Sequence, residues 1–323
     1  MSEVAPGLVT VFGGTGFVGS QVVQALARHG WRIRVACRRP DRAYKLQTAG
    51  TVGQIQAVRC DATDAAQVGE AIHGASAVIN LVGILYEGGG RKFQDLHVGV
   101  SRAIAEACAA AGVERLVQVS ALGANPEGAS DYARTKAAAE MAVREVKPDA
   151  VIVRPSVVFG PGDDFLNKFA KLAQIAPALP LIGGGQTKFQ PVYVGDVAAA
   201  VVKIVSRTES DGQTYELGGP AVMTFEEVLK LVARETYRTP GLIPLPFFVA
   251  RLIGAVAQIP AIIGFKPVLT EDQVTLLQSD NVVSDDAQGL AALGIQPTGI
   301  EAVAANYLWR YRRGGQFPEA APA

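Results

Sequence analysis

Tyr132 and Lys136 stand four residues apart in the run Tyr132-Ala133-Arg134-Thr135-Lys136. On a helix that spacing puts a phenol and an ammonium on one face, one turn apart. A cation that close favours the phenolate. Tyr132 is therefore a candidate acid or base toward a carbonyl or alcohol, with Lys136 also placed to hold ribose hydroxyls. A second group lies near the start of the chain, where Gly13, Gly14, Thr15, Gly16, Phe17, Val18 and Gly19 carry both GxxGxxG and GxGxxG spacings. Glycines so spaced let the chain turn tightly and bring backbone N–H groups up to a pyrophosphate. They also let the following helix pack on the strand and point its N-terminal dipole at the anion.

About 20 residues beyond such a loop an acid normally accepts hydrogen bonds from the adenosine ribose. This chain has Arg38 and Arg39 there, within a stretch that also holds Arg32, Arg34, Arg42 and Lys45 against the single acid Asp41. Guanidinium forks bind phosphate bidentately, so the cluster suits a 2′-phosphate and predicts NADPH (NADP+) as cofactor, with NADH less favoured. A solvated basic surface is the alternative for Arg42 and Lys45. Asp61, followed by Ala62, closes the third predicted strand where an adenine amino group would lie, or else caps a helix beginning near Asp64. Leu81, Val82 and Gly83 close the fourth strand beneath the ribose.

The elements that must position these groups follow from hydrophobic periodicity. Strands are predicted at 8–12, 33–37, 54–59, 77–82, 116–120 and 150–154, with helices between them, clearest at 18–28, 98–111 and 132–146. Strand alternating with helix implies an α/β fold, a doubly wound parallel sheet of Rossmann type with helices on both faces. Beyond Arg154, prolines and the Gly183–Gly185 run break the pattern into shorter elements. The expected division is a dinucleotide-binding domain over 1–155, sheet elements returning within about 156–210, and a smaller C-terminal lobe of substrate or interaction type over 156–323. Asp163 and Asp164 are read as helix caps in the loop after Gly160. His29, His73 and His97 share no spacing that would gather a metal or triad and are read as surface or boundary residues.

Over roughly residues 7–200 the chain resembles the short-chain dehydrogenase/reductase superfamily in its extended or atypical branch. The resemblance rests on the glycine loop, Asp61, the Tyr132/Lys136 pair and the run Arg154-Pro155-Ser156-Val157-Val158-Phe159-Gly160. It implies cofactor contacts at Pro155 and Val158. The runs 119–124, 189–198, 269–274 and 279–284 narrow it to the NADPH-binding accessory-subunit family of respiratory complex I, and that match covers nearly the whole chain. In that family NADPH is held tightly, serves mainly structurally, and sits on the peripheral arm near the quinone site. Extended-branch enzymes present two or three hydroxyl residues after strand five. Here Ser120 is followed by Ala121, so Ser120 either substitutes for the carbonyl-polarising serine or caps a turn. The resemblance thus leaves two functions open, an accessory or assembly subunit of complex I and an NADP(H)-dependent reductase or epimerase acting on a carbonyl or quinone-related molecule.

Composition excludes several other classes. Thirty Lys and Arg balance thirty Asp and Glu in 323 residues, so there is no net field to hold nucleic acid. An apolar content of 49% rules out disorder, collagen and a small disulfide scaffold. Cys37, Cys60 and Cys108 lack metal-ligand spacing and suit reduced thiols in a cytoplasmic compartment, with no metal site. The N-terminal residues predict no signal or transit peptide. The expected location is the cytoplasm, peripheral on the cytoplasmic face of the inner membrane in a bacterium, or the matrix side in a mitochondrion.

The stretch 242–265 carries Arg251 as its one charge, and its prolines confine a helix to about 247–259. Such a helix spans about 20 Å, too short for a hydrocarbon core of about 30 Å. Burial in its own lobe is the default reading, with a partner or membrane interface as the alternative.

Overall fold

The computed structural model describes residues 5–207, 212–259, 267 and 269–317. The chain opens with β1 (Leu8–Phe12), α1 (Phe17–Arg28), β2 (Arg32–Cys37), α2 (Tyr44–Gln47), β3 (Ile55–Arg59) and α3 (Ala65–Ile72). It continues with β4 (Ala77–Asn80), α4 (Val100–Ala110), β5 (Arg115–Val119), α5 (Asp131–Val146) and β6 (Val151–Pro155). Next come β7 (Val158–Phe159), α6 (Leu166–Ile175), β8 (Ala178–Ile182), β9 (Lys188–Phe189), β10 (Val192–Tyr193), α7 (Val194–Val205) and β11 (Thr214–Leu217). The remainder holds β12 (Met223–Thr224), α8 (Phe225–Glu235), β13 (Gly241–Leu245), α9 (Phe247–Ala257), α10 (Glu271–Leu276) and α11 (Ile300–Leu308).

Seven strands form one parallel sheet in the order β11-β6-β5-β4-β1-β2-β3. Strands β1, β4 and β6 are nearly continuous apolar runs because both faces are covered, whereas the edge strands β3 and β11 carry polar residues. Val22, Val23 and Leu26 of α1 pack one face together with Val197 and Val201 of α7. Val68 and Ile72 of α3, Ile104 and Cys108 of α4 and Val143 of α5 cover the other. Connections from β1 and β4 leave in opposite directions, which opens a crevice at the carboxyl ends of those strands, where such folds take ligands.

Two sequence expectations shift here. The fourth strand stops at Asn80 rather than Val82, because the Asn80 side chain accepts the Val82 N–H at 3.0 Å and turns the chain. Its amide nitrogen donates to Gln118 (2.8 Å) and Ser101 (3.2 Å), which anchors the turn in the interior. The sheet also takes β11 from 214–217, past the expected window of 156–210, since β11 pairs with β6 over Thr214–Leu217.

The remaining chain builds two further apolar clusters, one joining α6, α8 and α11, the other joining α6, β8, α8, α9 and α10. Asp163 does act as a cap. Its carboxylate accepts from the N–H groups of Gly160, Phe165 and Asn167 and from the Tyr307 hydroxyl at 2.6 Å, locking the start of α6 to α11.

Candidate functional site

The crevice is floored by the glycine loop. Gly13 has φ +76°, and a Cβ there would lie 2.8 Å from the Leu81 carbonyl carbon, so only glycine permits this approach to the end of β4. At Gly19 a Cβ would stand 2.2 Å from the Gly13 carbonyl oxygen, so helix α1 starts pressed against the loop that feeds it. Gly16 is the N-cap of α1, no side chain caps the helix, and its first turn holds no acid. The positive end of α1 therefore faces the crevice without an internal anion, which fits a pyrophosphate. Thr15, Phe17 and Val18 are half-buried around it.

At the β2 end of the crevice Arg38 and Arg39 are exposed directly after that strand. Arg39 pairs with Asp41 at 3.2 Å. Arg34 does not belong to this cluster. Its guanidinium donates to the carbonyls of Ala71 (2.7 Å) and His73 (2.8 Å), tying β2 to the C-terminal end of α3. Asp61 is not the helix cap that the sequence left open. Asp64 caps α3 by accepting from Ala66 (3.0 Å) and Gln67 (3.2 Å), while Asp61 accepts from the N–H and hydroxyl of Thr63. Those two bonds hold the Asp61 carboxyl below the usual range, and nearby Arg38 adds to the effect. Arg38 and Asp61 thus sit together at neighbouring strand ends, with Ala62 half-buried beside them.

At the other end of the crevice α5 presents Lys136, buried, with its ammonium 3.5 Å from the Val119 carbonyl and 5.9 Å from the centre of the Tyr132 ring. A Cβ on Gly83 would lie 3.2 Å from that ammonium, so the backbone after β4 and the Lys136 head share one small space with Leu81 and Val82 alongside. Burial draws the Lys136 pKa down to about 8, with Glu140 opposing. The phenolate expected at Tyr132 is not what this setting favours. Burial, with Asp272 adding like charge, pushes its pKa up to about 12, so Tyr132 is a neutral phenol near pH 7 and a proton donor rather than a base. Ser120 caps no turn. Its buried hydroxyl has no hydrogen-bond partner among the described residues, as a group awaiting a ligand would. Pro155 is buried at the end of β6 and Val158 half-buried in β7.

The sequence reading of His97 as a surface or boundary residue does not hold. It is 1% exposed, inside a π-helical turn (Gln94–Gly99) that leads into α4. Its Nδ1 lies 3.0 Å from the Thr135 hydroxyl and its Nε2 accepts from the Ile84 N–H at 3.2 Å. Its ring meets that of Tyr132 edge-on at 5.5 Å. The signal for it was present, since 97, 101, 104 and 108 form one buried stripe on the helix. Burial, then the Lys136 charge, takes its pKa down to about 3. Unfolded, the imidazole binds a proton near pH 6.5, so between about pH 6.5 and 3 the unfolded chain holds more protons and stability falls as pH falls. His97→Gln removes that term. Its urea midpoint is expected to drop less than the wild type's between pH 7 and pH 4.5, and an equal drop would contradict a neutral, buried imidazole.

Two further residues lie in runs that the sequence marks only by family resemblance, with no role attached, because their partners stand far along the chain. Asn281 accepts from the Ser156 hydroxyl (2.7 Å) and the Val157 N–H (3.1 Å), which sets the loop after β6. Asp272 accepts the N–H groups of Asp131 and Tyr132 at the start of α5.

Residues 9–218 match the NAD dependent epimerase/dehydratase family. The chain belongs to that family. Within it, the NADH dehydrogenase [ubiquinone] 1 alpha subcomplex subunit 9 of Arabidopsis thaliana mitochondria is 37% identical over 322 residues, covering 97% of this chain and 80% of the relative. A ceramide reductase of Caulobacter vibrioides is 32% identical over 257 residues, 76% of each chain. Among solved structures, the NADPH-dependent quinone oxidoreductase QOR2 of Escherichia coli, complexed with NADPH, superposes with a TM-score of 0.71 at 18% identity over 93% of this chain and 99% of that one. At that identity the likeness concerns the fold, which is the doubly wound Rossmann architecture expected from sequence. The chain's similarity to the Arabidopsis complex I subunit likewise agrees with the family read from the sequence runs.

Proposed function

We propose that this epimerase-family protein is an accessory or assembly subunit of respiratory complex I, on its peripheral arm, holding NADPH mainly as a structural element. The observation that carries this reading is where the similarity extends. The family match ends at residue 218, whereas identity to the Arabidopsis complex I subunit runs through the C-terminal lobe as well. The lobe holding α9 and α10 is thus shared with a protein named as a complex I subunit, and it is this lobe that is available for assembly. Among the described residues no helix is long and apolar enough to cross a membrane. Association is therefore proposed to be peripheral, through α9, on the cytoplasmic face in a bacterium.

In this reading Gly13 to Gly19 hold the pyrophosphate and Arg38 and Arg39 the 2′-phosphate. Asp61 and Ala62 border the adenine, Leu81 to Gly83 lie beneath the ribose, and Lys136 binds ribose hydroxyls. Pro155 and Val158 flank the nicotinamide. Full-length protein carrying an affinity tag is expected to bring down other complex I subunits from solubilised membranes. Recovery as a free protein, with complex I assembled normally in its absence, would overturn the assignment.

The Tyr132, Lys136, Ser120 constellation supports a second reading, an NADP(H)-dependent carbonyl reductase, and one relative is named a ceramide reductase. A bound dihydronicotinamide supplies a hydride. Tyr132, kept protonated by burial, donates a proton to the carbonyl oxygen, and the Ser120 hydroxyl holds that oxygen. Tyr132→Phe then abolishes NADPH oxidation while cofactor affinity stays within about twofold, since the ring still packs and only the donor is lost. If the subunit reading holds, no carbonyl or quinone stimulates NADPH oxidation by the wild type.

A further inference from the structure

A helix N-terminus leaves four N–H groups without partners inside the helix. At α5 the three on Asp131, Tyr132 and Ala133 all find side-chain acceptors, and Arg134 makes the first helical bond. Arg134 donates to the Ser130 carbonyl at 3.2 Å and Ala133 to the Ser130 hydroxyl at 3.0 Å. The first two, Asp131 (2.7 Å) and Tyr132 (3.2 Å), donate to the two carboxylate oxygens of Asp272. Ser130 is a local cap of the ordinary kind. Asp272 lies 140 positions from Tyr132, in the first turn of α10, so the turn that carries Tyr132 is held by the C-terminal lobe.

On its other side α10 is seated on α9. Gly254 is buried, and a Cβ there would lie 2.9 Å from the Glu271 nitrogen and 2.9 Å from the Thr270 carbonyl carbon, so α9 rests directly on the backbone that leads into Asp272. Thr270, also buried, caps α10 by accepting from the Gln273 N–H at 3.2 Å. A line of close contact therefore runs from α9 through Gly254, Thr270 and Asp272 to the amides of Asp131 and Tyr132. Those packed contacts leave little slack to absorb a displacement of α9.

We propose that Asp272 is a positioning residue that couples the seat of α9 to the Tyr132/Lys136 end of the crevice, so that what α9 docks against sets how firmly that end holds its ligand. The coupling rests on the dinucleotide reading above for its consequence and on the α5 amides for its mechanism. By linkage it works in both directions: dinucleotide held at Lys136 also stiffens the seat of α9.

Amide hydrogen exchange on the full-length chain, read at the peptide spanning 130–136, tests the mechanism without any cofactor. Asp272→Ala is expected to speed exchange at Asp131 and Tyr132 by about tenfold or more, because no other acceptor replaces the carboxylate. Asp272→Asn, which keeps one acceptor oxygen, is expected to restore protection in part. Gly254→Ala, which lifts α9 from α10 without touching Asp272, is expected to speed exchange at the same two amides. Thr270→Ala, which loosens the first turn of α10, carries that arm if Gly254→Ala does not fold. In parallel, Asp272→Ala is expected to weaken NADPH about three- to tenfold by fluorescence titration. Unchanged exchange in Asp272→Ala overturns the positioning role. An effect of Asp272→Ala that neither Gly254→Ala nor Thr270→Ala reproduces overturns the coupling. A wild-type chain that binds no dinucleotide defeats the reading of the crevice instead, since the exchange experiment does not depend on it.

Discussion

Arg38→Ala is expected to weaken NADPH binding by about tenfold or more and to leave NADH binding nearly unchanged. A charge-assisted hydrogen bond contributes about 1.5–3 kcal/mol, and each 1.4 kcal/mol is a factor of about ten in affinity. NADH has no 2′-phosphate for the guanidinium to meet, so its affinity does not register the loss. Arg38 is the informative position among the basic residues of this stretch. Arg34 is committed to the carbonyls of Ala71 and His73, and Arg39 already pairs with Asp41. Arg38 stands at the end of β2 close enough to Asp61 to lower that carboxyl. Fluorescence titration with both dinucleotides reads these effects. Equal affinity of the wild type for the two cofactors would sink the assignment of Arg38 and Arg39 to the phosphate.

The sheet and its glycine loop were legible in sequence because their causes are local. Apolar runs of strand length between helical periods leave few alternatives, and the first strand is observed where the pattern puts it, at Leu8–Phe12. The errors lie where a side chain overrides the pattern. Asn80 cuts β4 short by capturing the Val82 N–H, although Leu81 and Val82 continue the apolar run. Spacing alone put an ammonium beside Tyr132 and so predicted a phenolate, but the distance to the ring and the burial of both groups favour the phenol. The supports from Asp272 and Asn281 could not be read from spacing, because their partners lie more than a hundred positions away and, apart from the Ser156 hydroxyl, are backbone groups that carry no sequence signal. His97 differs from these. Its stripe with Ser101, Ile104 and Cys108 is readable at helical spacing, but a histidine at the end of a stripe carries no mark that separates a buried from a boundary position.

Leu252→Glu is expected to leave the protein folded and to release it from complex I or the membrane. The sequence reading made burial in its own lobe the default for this helix, and the structure bears that out for one face and leaves the other exposed. In α9 only Ala250 and Gly254 are buried, while Phe248, Leu252 and Val256 are 75%, 68% and 61% exposed. They recur every four residues, so they form one face, opposite the Gly254 side that seats on α10. Residues 260–266, where the apolar stretch continues, lie outside the described residues. Covering these side chains would contribute roughly 1.5–3 kcal/mol each, enough for three of them to anchor a docking surface. A glutamate at 252 is already solvated in the free chain, so the thermal midpoint is expected to move little, as for other surface substitutions within about 0.5 kcal/mol. On docking the same carboxylate must lose water, and that cost falls on association alone. Ala250→Glu is the contrasting control, since it places the charge in the lobe's own core and is expected to unfold it. Loss of association with an unchanged midpoint identifies the face as the contact surface. Unfolding of Leu252→Glu would return α9 to the core, and a folded variant that still associates would move the docking site elsewhere on the lobe.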